Sequence, residues 1–316
     1  MNYATKLCIV SMMSVFSVSS IGLVQAADTP IVSTGGVAYN IGVSGNSKFT
    51  YSDNVTLGGD AGTTNGNPYQ NSNDPNAKGN NIAIGRISLN GSSGGANVAL
   101  GSKTFLNGKG DYNFLGNFAA GFNSTISNTI AIGSFAGSGA TGNKNVWLGT
   151  GQAGGSTGNN TVLIGSNSKV DGNFNYGIGH NAELKGESNA VVGAYNHVTA
   201  NNTYVLGDHV DTTLNNAVVL GSQSTAESSD VVSTPSYTYA GGTVNFAGTA
   251  PVSTVSVGAT DQERTITHVA AGRVSADSTD AINGSQLYGA NQQIDNLYNK
   301  ISNIGKEANK GDARAA

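Results

Sequence analysis

Residues 202–221 read NTYVLGDHVDTTLNNAVVLG, in which a short apolar run between an asparagine and a glycine occurs twice, fourteen residues apart. The same glycine recurs with this period at Gly165, Gly179, Gly193, Gly207 and Gly221. Upstream it recurs at longer and less regular intervals, at Gly85, Gly101, Gly116, Gly133 and Gly149. A fixed period of this kind indicates one structural unit stacked on copies of itself.

The repeat length predicts the kind of unit. Fourteen residues accommodate two strands of about five residues and two turns, and they leave no room for a helix. Segments such as Ser166–Val170 and His180–Leu184 are predicted to supply the second strand after the glycine. We therefore predict that each repeat is one turn of a parallel β-roll.

Both faces of the first strand in each repeat are apolar. We predict that the residues one and three places before the glycine point into the roll, because alternate residues of a strand share a face. The residue two places before the glycine then faces outward, although it is alanine, valine, leucine or the sole tryptophan, Trp147. One roll can bury only one face, so we expect several rolls to pack side by side, with Trp147 at their seam or exposed as a ligand anchor. The alternative is a monomer with scattered surface valines.

The N-terminus is typical of a secretory signal peptide. Lys6 precedes a mostly apolar run from Leu7 to Val24, and a small-x-small cleavage site ends at Ala26, which predicts a signal peptide over residues 1–26. A membrane-spanning anchor is the alternative. The only cysteine, Cys8, leaves with the leader, so we expect the repeats and assembly, rather than disulfides, to stabilise the exported chain.

Composition and motifs argue against nucleic-acid binding and catalysis. The net charge of −4 disfavours nucleic acid and anionic membranes as partners. The four histidines lie at different phases of the repeat, and acidic residues are sparse within it, so we expect no metal site, no cofactor and no enzyme. An exported carbohydrate- or ice-binding β-solenoid is the alternative function, and it would need one outward residue type at a fixed phase.

Two segments depart from the repeat. Residues 59–79 are rich in glycine, asparagine and proline and predict an inserted surface loop, while the half-pattern from Asn54 to Gly58 predicts that the roll begins before it. Residues 227–258 form a predicted connector with a β-hairpin, in which Ser236–Ala240 and Thr243–Ala247 flank a two-glycine turn.

The C-terminal segment has a period of seven. One heptad position holds Leu287, Ile294 and Ile301, and the other holds Ala290, Leu297 and Ile304. This a/d pattern predicts a coiled coil, and isoleucine at both positions favours three or more strands. We expect Gly305 and Gly311 to weaken it. The alternative is an amphipathic helix that folds back on its own domain.

Four segments resemble the trimeric autotransporter adhesins, the YadA-like family of Gram-negative bacteria. Asn81–Gly85 and Asn128–Gly133 resemble the head repeats, and Arg264–Gly272 with Asp280–Leu287 is similar to the neck. The resemblance implies an all-β, left-handed parallel β-roll in a trimeric solenoid head, followed by a neck and a short trimeric α-helical coiled coil. We expect the head over residues 27–226, the connector over 227–258, the neck over 259–286 and the stalk over 287–316.

The resemblance also implies site residues. In the family, head repeats of the Asn-x-Val-Ala-Ile-Gly form are tied to collagen binding. The matching residues are Asn81, Ile82, Ala83, Ile84, Gly85, Asn97, Val98, Ala99, Leu100, Gly101, Asn128, Ile130, Ala131, Ile132 and Gly133. The neck and stalk residues expected to hold the trimer are Arg264, His268, Val269, Asp280, Asn283, Leu287, Ile294, Leu297 and Ile301. We expect the charged neck residues Arg264, Arg273, Asp277 and Asp280 to pair between chains.

These features together predict a non-catalytic homotrimeric adhesin on the cell surface of a Gram-negative bacterium. Its expected partners are host matrix proteins (collagen, fibronectin or laminin) or other cells, and it is expected to mediate autoaggregation. The family's outer-membrane anchor is a trimeric β-barrel, and we expect attachment to the membrane only through an anchor that is absent from this chain.

Overall fold

A computed structural model describes residues 55–58, 61, 63–64, 67–68 and 81–315. The predicted signal peptide and most of the predicted loop 59–79 lie outside the described residues. The chain divides into two units. The first consists of the residues up to Ser228 together with residues 253–260, and the second consists of residues 229–252 together with residues 261–316.

The first unit consists of short strands. In chain order, the strands of the described residues are β1 (Val55–Leu57), β2 (Thr63–Thr64), β3 (Asn67–Pro68), β4 (Ile82–Ile84), β5 (Val98–Leu100), β6 (Phe114–Gly116), β7 (Thr125–Ser127), β8 (Ile130–Ile132), β9 (Thr141–Asn143), β10 (Val146–Leu148), β11 (Val162–Ser166), β12 (Lys169–Asp171), β13 (Tyr176–His180), β14 (Glu183–Lys185), β15 (Ala190–Ala194), β16 (His197–Thr199), β17 (Tyr204–Leu206), β18 (Asp211–Thr212), β19 (Val218–Leu220), β20 (Ser236–Tyr239), β21 (Gly242–Asn245) and β22 (Val255–Ser256). A 3₁₀ turn spans Ser228–Asp230. Strands β20 and β21 belong to the second unit.

The first unit is the predicted parallel solenoid. Twelve strands, in the order β1-β4-β5-β6-β8-β10-β11-β13-β15-β17-β19-β22, form one sheet, which we call the main sheet. All its neighbouring strands are parallel and pair in register. Strand β1 pairs with β4, which confirms that the solenoid begins before the inserted loop. On the other side of the coils, β12-β14-β16-β18 and β7-β9 form parallel sheets; we call the four-stranded one the second sheet.

The core of the solenoid corrects the predicted orientation of the strands. The residue two places before each glycine points inward, and Ala83, Ala131, Leu163 and Val219 are all fully buried. The residues one and three places before the glycine point outward instead. The two faces are exchanged relative to the prediction because a strand that is apolar on both sides carries no polar face to mark the outside.

Trp147 lies in this core rather than at a seam or on the surface. It is fully buried, and its indole Nε1–H donates to Thr161 Oγ1 at 3.1 Å. A Cβ on Gly137 would lie 2.7 Å from the indole ring, so the absence of a side chain there makes room for it. Trp147 therefore stabilises the solenoid of a single chain, and this contribution does not depend on a second chain.

Asparagines four residues before the recurrent glycine, such as Asn97, Asn145 and Asn175, form a buried ladder. Asn97 Oδ1 accepts from the Asn113 backbone N–H at 3.1 Å, and its Nδ2 donates to the Gly110 carbonyl across the coil at 2.9 Å. Asn145 and Asn175 make the same two kinds of bond further along the solenoid. A side chain with both a donor and an acceptor thus satisfies backbone groups at the corner where each strand begins.

The recurrent glycine is required by the stacking distance. Gly165 has a φ of +132°, and a Cβ there would lie 1.7 Å from the carbonyl oxygen of Gly179 in the next coil. An L-residue rarely adopts this backbone conformation and its side chain would overlap the neighbouring coil. The period of the glycine is therefore the period of the coils.

The second unit contains a hairpin and a long helix. Strands β20 and β21 pair antiparallel, and Ala240–Gly241 forms the turn, one residue earlier than predicted. The segment 227–258 is not one connector, because β22 pairs with β19 in the main sheet of the first unit. Helix α1 spans Gly284–Ala315 and continues through Gly305 and Gly311. The expected weakening of the coiled coil at these glycines stays a prediction. Among the described residues, no helix is long and apolar enough to cross a bilayer.

Candidate interaction surfaces

The outer face of the main sheet carries an apolar column. Parallel pairing in register places Ile164, Ile178, Val192, Leu206 and Leu220 side by side. These side chains are 38 to 58% exposed. Monomeric soluble proteins rarely expose a contiguous apolar surface of this extent. The column is therefore a candidate for burial against another chain.

A second column runs beside the first and contains aromatic rings. Phe114, Tyr176 and Tyr204 are 41, 50 and 54% exposed. Tyr176 and Tyr204 each lie two residues before a member of the first column, and Phe114 lies two residues before the upstream continuation of that column. Large aromatic surfaces contribute strongly to protein interfaces. Both columns point to the same side of the sheet because they are two residues apart on each strand.

The predicted head-repeat residues divide between core and surface. Ala83, Ala99 and Ala131 are fully buried, and Asn81 and Asn97 belong to the buried ladder, so these side chains are not available to a ligand. The outward positions are Ile82, Ile84, Val98, Leu100, Ile130 and Ile132, all on the main sheet. Gly85, Gly101 and Gly133 lie at the close approach between coils. Asn128 is exposed at a corner, with a φ of +52°.

The second sheet is polar on its outer face. Lys169 pairs with Asp171 at 3.1 Å and Lys185 pairs with Glu183 at 2.8 Å. His197 lies 3.7 Å from Glu183 and 3.1 Å from Asp211. Charges of opposite sign therefore alternate along this sheet, unlike the apolar main sheet.

Two pKa shifts follow from these pairs. Partial burial alone would raise the pKa of the Asp171 carboxyl, but hydrogen bonds from Lys169 and Thr157 hold it below its usual value. The hydrogen bond from Lys185 lowers the pKa of Glu183. No group of three or more histidine, cysteine or acidic side chains that could hold a metal ion occurs in the part of the chain that the structure describes.

The neck contains a reciprocal cap for helix α1. Asn283 Oδ1 accepts from the Gln286 backbone N–H at 3.4 Å, and Gln286 Oε1 accepts from the Asn283 backbone N–H at 3.1 Å. This is a capping box, which satisfies amide groups that would be free at a helix start. Gln286 also bonds both backbone groups of Gly272, and Asn283 Nδ2 donates to the Val269 carbonyl. The cap thus ties the preceding segment to the helix.

Among the charged neck residues, Arg273 and Asp280 form a pair within the chain, and the expected pairing between chains stays a prediction. Arg273 binds Asp280 through Nε at 2.7 Å and Nη2 at 3.0 Å. This bidentate contact lowers the pKa of the Asp280 carboxyl. Asp277 accepts a hydrogen bond from Ser275, which lowers its pKa too. His268 is exposed, and its Nδ1 lies 3.1 Å from Thr267 Oγ1.

The heptad residues of helix α1 are exposed in the single chain. Leu287, Ile294, Leu297 and Ile301 are 56 to 64% exposed, and Ile304 is 69% exposed. They lie on one face of the helix because their spacing alternates between three and four residues. A lone helix is only marginally stable in water, so helix α1 is stabilised when other helices cover its apolar seam.

Some of these roles carry a signal in the sequence, and others do not. Gln286 was not singled out, although its position three residues after Asn283 is a recognised signal for a capping box. The buried ladder is marked in the sequence only by the recurrence of asparagine. The intrachain Arg273–Asp280 pair, seven residues apart, has no comparable signal in the sequence.

Comparison with known proteins matches the neck and stalk most directly. A family model described as the coiled stalk of trimeric autotransporter adhesin matches residues 265–310. Autotransporter adhesin BtaE of Brucella suis biovar 1 (strain 1330) is 51% identical over 87 residues, which are 28% of this chain and 12% of BtaE. This chain therefore matches only a small part of that relative's length.

The solved structures that are similar to this chain include a YadA-like domain. It is the C-terminal YadA-like domain of BPSL2063 from Burkholderia pseudomallei, with 38% sequence identity over 41% of this chain and 53% of that one. The TM-score is 0.31.

Proposed function

We propose that this chain belongs to the trimeric autotransporter adhesins and is an exported surface protein whose three copies assemble into a rigid adhesive head and stalk. The observation that carries the proposal is the exposed apolar face of the main sheet. A single chain leaves Ile178 and Leu206 more than half exposed, in register with apolar neighbours on both sides. Packing of three solenoids through these columns would bury them.

The helix supports the same assembly from an independent observation. Its heptad seam is exposed over Leu287 to Ile304 in the single chain. Isoleucine at both heptad positions favours three or more strands. If three chains pack through their main sheets and the same three chains pack through their helices, both apolar surfaces are buried in one trimer.

We propose that the assembled protein lies on the surface of a Gram-negative cell and binds collagen, fibronectin, laminin or other cells. Each contact would be weak, and three heads in one trimer would raise the effective affinity through avidity. We also propose that the head repeats contribute to collagen binding. Within them, the exposed side chains of Ile84, Ile130 and Ile132 are the same ones that we propose to pack between chains.

The experiment compares two aspartate substitutions on opposite sides of the solenoid. Leu206→Asp places a charge on the apolar column, whereas Thr199→Asp places one on the exposed polar second sheet and serves as the matched control. We expect Leu206→Asp to yield single chains and to lose binding to immobilised collagen, fibronectin and laminin and to cultured cells. Thr199→Asp should keep both properties.

Two outcomes would contradict the proposal. If the Leu206→Asp protein stays trimeric, the column is not the interface between chains. If the wild-type trimer binds none of the three matrix proteins or the cells, and cells that display it do not aggregate, the adhesive role is wrong even where the assembly is right.

A further inference from the structure

A groove at one corner of the solenoid combines amide groups, a cation and an aromatic ring. Its volume is about 400 Å³. Its lining residues are Asn143, Lys144, Asn159, Asn160, Asn173 and Phe174. All of them belong to three successive coils of one chain, so that the groove is complete without a second copy.

A ladder of carboxamides holds the floor of the groove in place. The Asn143 backbone N–H donates to Asn159 Oδ1 at 2.8 Å, and Asn159 Nδ2 donates to Asn173 Oδ1 at 2.9 Å. Asn173 Nδ2 in turn donates to Glu187 Oε1 at 3.1 Å. These side chains are therefore positioned before any ligand arrives, which reduces the entropy lost on binding.

Three other polar groups in the groove have no internal partner. Across the described residues, the side-chain amides of Asn143 and Asn160 and the ammonium of Lys144 make no hydrogen bond or ion pair. Each amide offers two donors and one acceptor oxygen, and the lysine offers three donors. Their hydrogen-bonding capacity is free for a ligand.

Phe174 supplies the apolar wall. Its side chain is 49% exposed, although it occupies a corner position that asparagine fills at Asn160 and Asn202. The corner conformation has a positive φ, which asparagine adopts more readily than phenylalanine. The choice of an exposed ring here is therefore not explained by the backbone.

We propose that this groove binds a saccharide that carries a carboxylate. Amide groups bind neighbouring hydroxyls through paired donors and acceptors, and an aromatic face packs against the C–H face of a sugar ring. Lys144 is the lining cation and no lining residue carries a carboxylate. Glu187, the carboxylate bonded to Asn173, lies three coils from Lys144, so the groove favours an anionic group at the Lys144 end.

Other ligand classes fit the lining less well. A purely apolar ligand would leave the free amides of Asn143 and Asn160 without partners, which is unfavourable. An inorganic anion would use Lys144 but not the ring of Phe174. The proposal deepens the adhesive role proposed above by naming a ligand class, and it rests on that role only for its biological meaning.

The test uses two sugars that differ only in the carboxylate, galacturonic acid and galactose. We expect the full chain to bind galacturonic acid about fivefold more tightly than galactose in an NMR titration, as a single ion pair on a protein surface permits. Lys144→Met should abolish this difference. Lys109→Met, which removes an exposed lysine on the same side of the solenoid but two coils upstream of Asn143 and outside the groove lining, is the matched control and should retain it.

A second variant tests the ring. Phe174→Ala should weaken binding of both sugars alike, by about fivefold. Equal binding of the two sugars by the wild-type chain, or no detectable binding of galacturonic acid, would overturn the proposal. Retention of the difference by Lys144→Met would overturn the assigned site.

The same samples separate this proposal from the trimer. Light scattering reports the number of chains, whereas the groove lies within one chain. A trimer that fails to bind galacturonic acid refutes the saccharide site alone. A single chain that binds it supports the site and refutes the proposed assembly.

Discussion

Replacement of Trp147 by alanine distinguishes a core residue from an interface residue. The side chain is fully buried in one chain, between the small residues Ala131 and Gly137 and beside Leu163 on the next coil. Its indole N–H also donates to Thr161 Oγ1. A residue in this environment stabilises the solenoid whether or not other chains are present.

The expected magnitude follows from two contributions. Truncation of a buried tryptophan to alanine leaves a cavity and costs about 3–5 kcal/mol. Loss of the hydrogen bond accounts for about 0.5–1.5 kcal/mol of such a change. Trp147→Phe keeps a ring in the core and loses the hydrogen bond, so we expect it to destabilise by about 1–2 kcal/mol. Leu206→Ala changes a side chain that is 58% exposed in the single chain, and it should cost less than about 1 kcal/mol there.

Denaturant unfolding followed by circular dichroism measures these differences. Because Trp147 is the sole tryptophan, its fluorescence gives an independent assay of burial. We expect blue-shifted emission that iodide does not quench, both in the assembled protein and in the single chains formed by Leu206→Asp. Stacked coils unfold with limited cooperativity, so the comparison uses shifts of the same transition in all variants.

One pattern of results would contradict the core position of Trp147. If iodide quenches Trp147 as soon as the chains separate, and if Trp147→Ala dissociates the trimer without lowering the stability of the solenoid, the tryptophan lies at a seam. The orientation of every strand in the main sheet would then be wrong.

Three further substitutions test the coil spacing and the neck. Gly165→Ala should destabilise the solenoid by at least about 2 kcal/mol in denaturant unfolding, because its Cβ would overlap the next coil. Gln286→Ala opens the capping box with Asn283 and should lower helix stability by about 1 kcal/mol, measured by thermal unfolding at 222 nm. Asp280, whose pKa is lowered by Arg273, stabilises the neck above its unfolded pKa of about 3.9, and this contribution is lost as the pH falls through the lower folded pKa. Asp280→Asn should remove that acid-dependent loss in a pH series of melts.

Each of these predictions has a control or a contrary result. Gly289→Ala lies in open space on helix α1 and should stabilise it by about 1 kcal/mol, so a similar loss at both glycines would contradict the stacking argument. Unchanged helix melting in Gln286→Ala would show that the cap is not formed. An acid transition that persists in Asp280→Asn would assign it to other carboxyl groups.

The period of the repeat was sufficient to predict the solenoid but not the orientation of its strands. The glycine interval follows from a steric requirement at every coil, so it is visible in the sequence. By contrast, Ile84 and Ala83 are both apolar, and alternation alone does not say which one lies inside. The interior of a thin roll favours small side chains such as Ala83 and Ala131, and this preference is the signal that would have corrected the orientation.

The neck and the helix illustrate a second limit. The heptad pattern predicted the helix, and the helix continues through Gly305 and Gly311 because one glycine costs about 1 kcal/mol in a helix and does not by itself terminate it. The pairing of Arg273 with Asp280 depends on the path of the chain between them. Sequence spacing gives no information on that path, so the pair within the chain was not predicted.

The most direct test of the account is the mass of the folded protein in solution. Light scattering after gel filtration of the full chain should give three times the mass of one chain, with a circular dichroism spectrum that shows both strands and helix. A well-folded species with the mass of a single chain would contradict it, because the apolar columns of the main sheet and the heptad seam of helix α1 would then be stable in water without a partner.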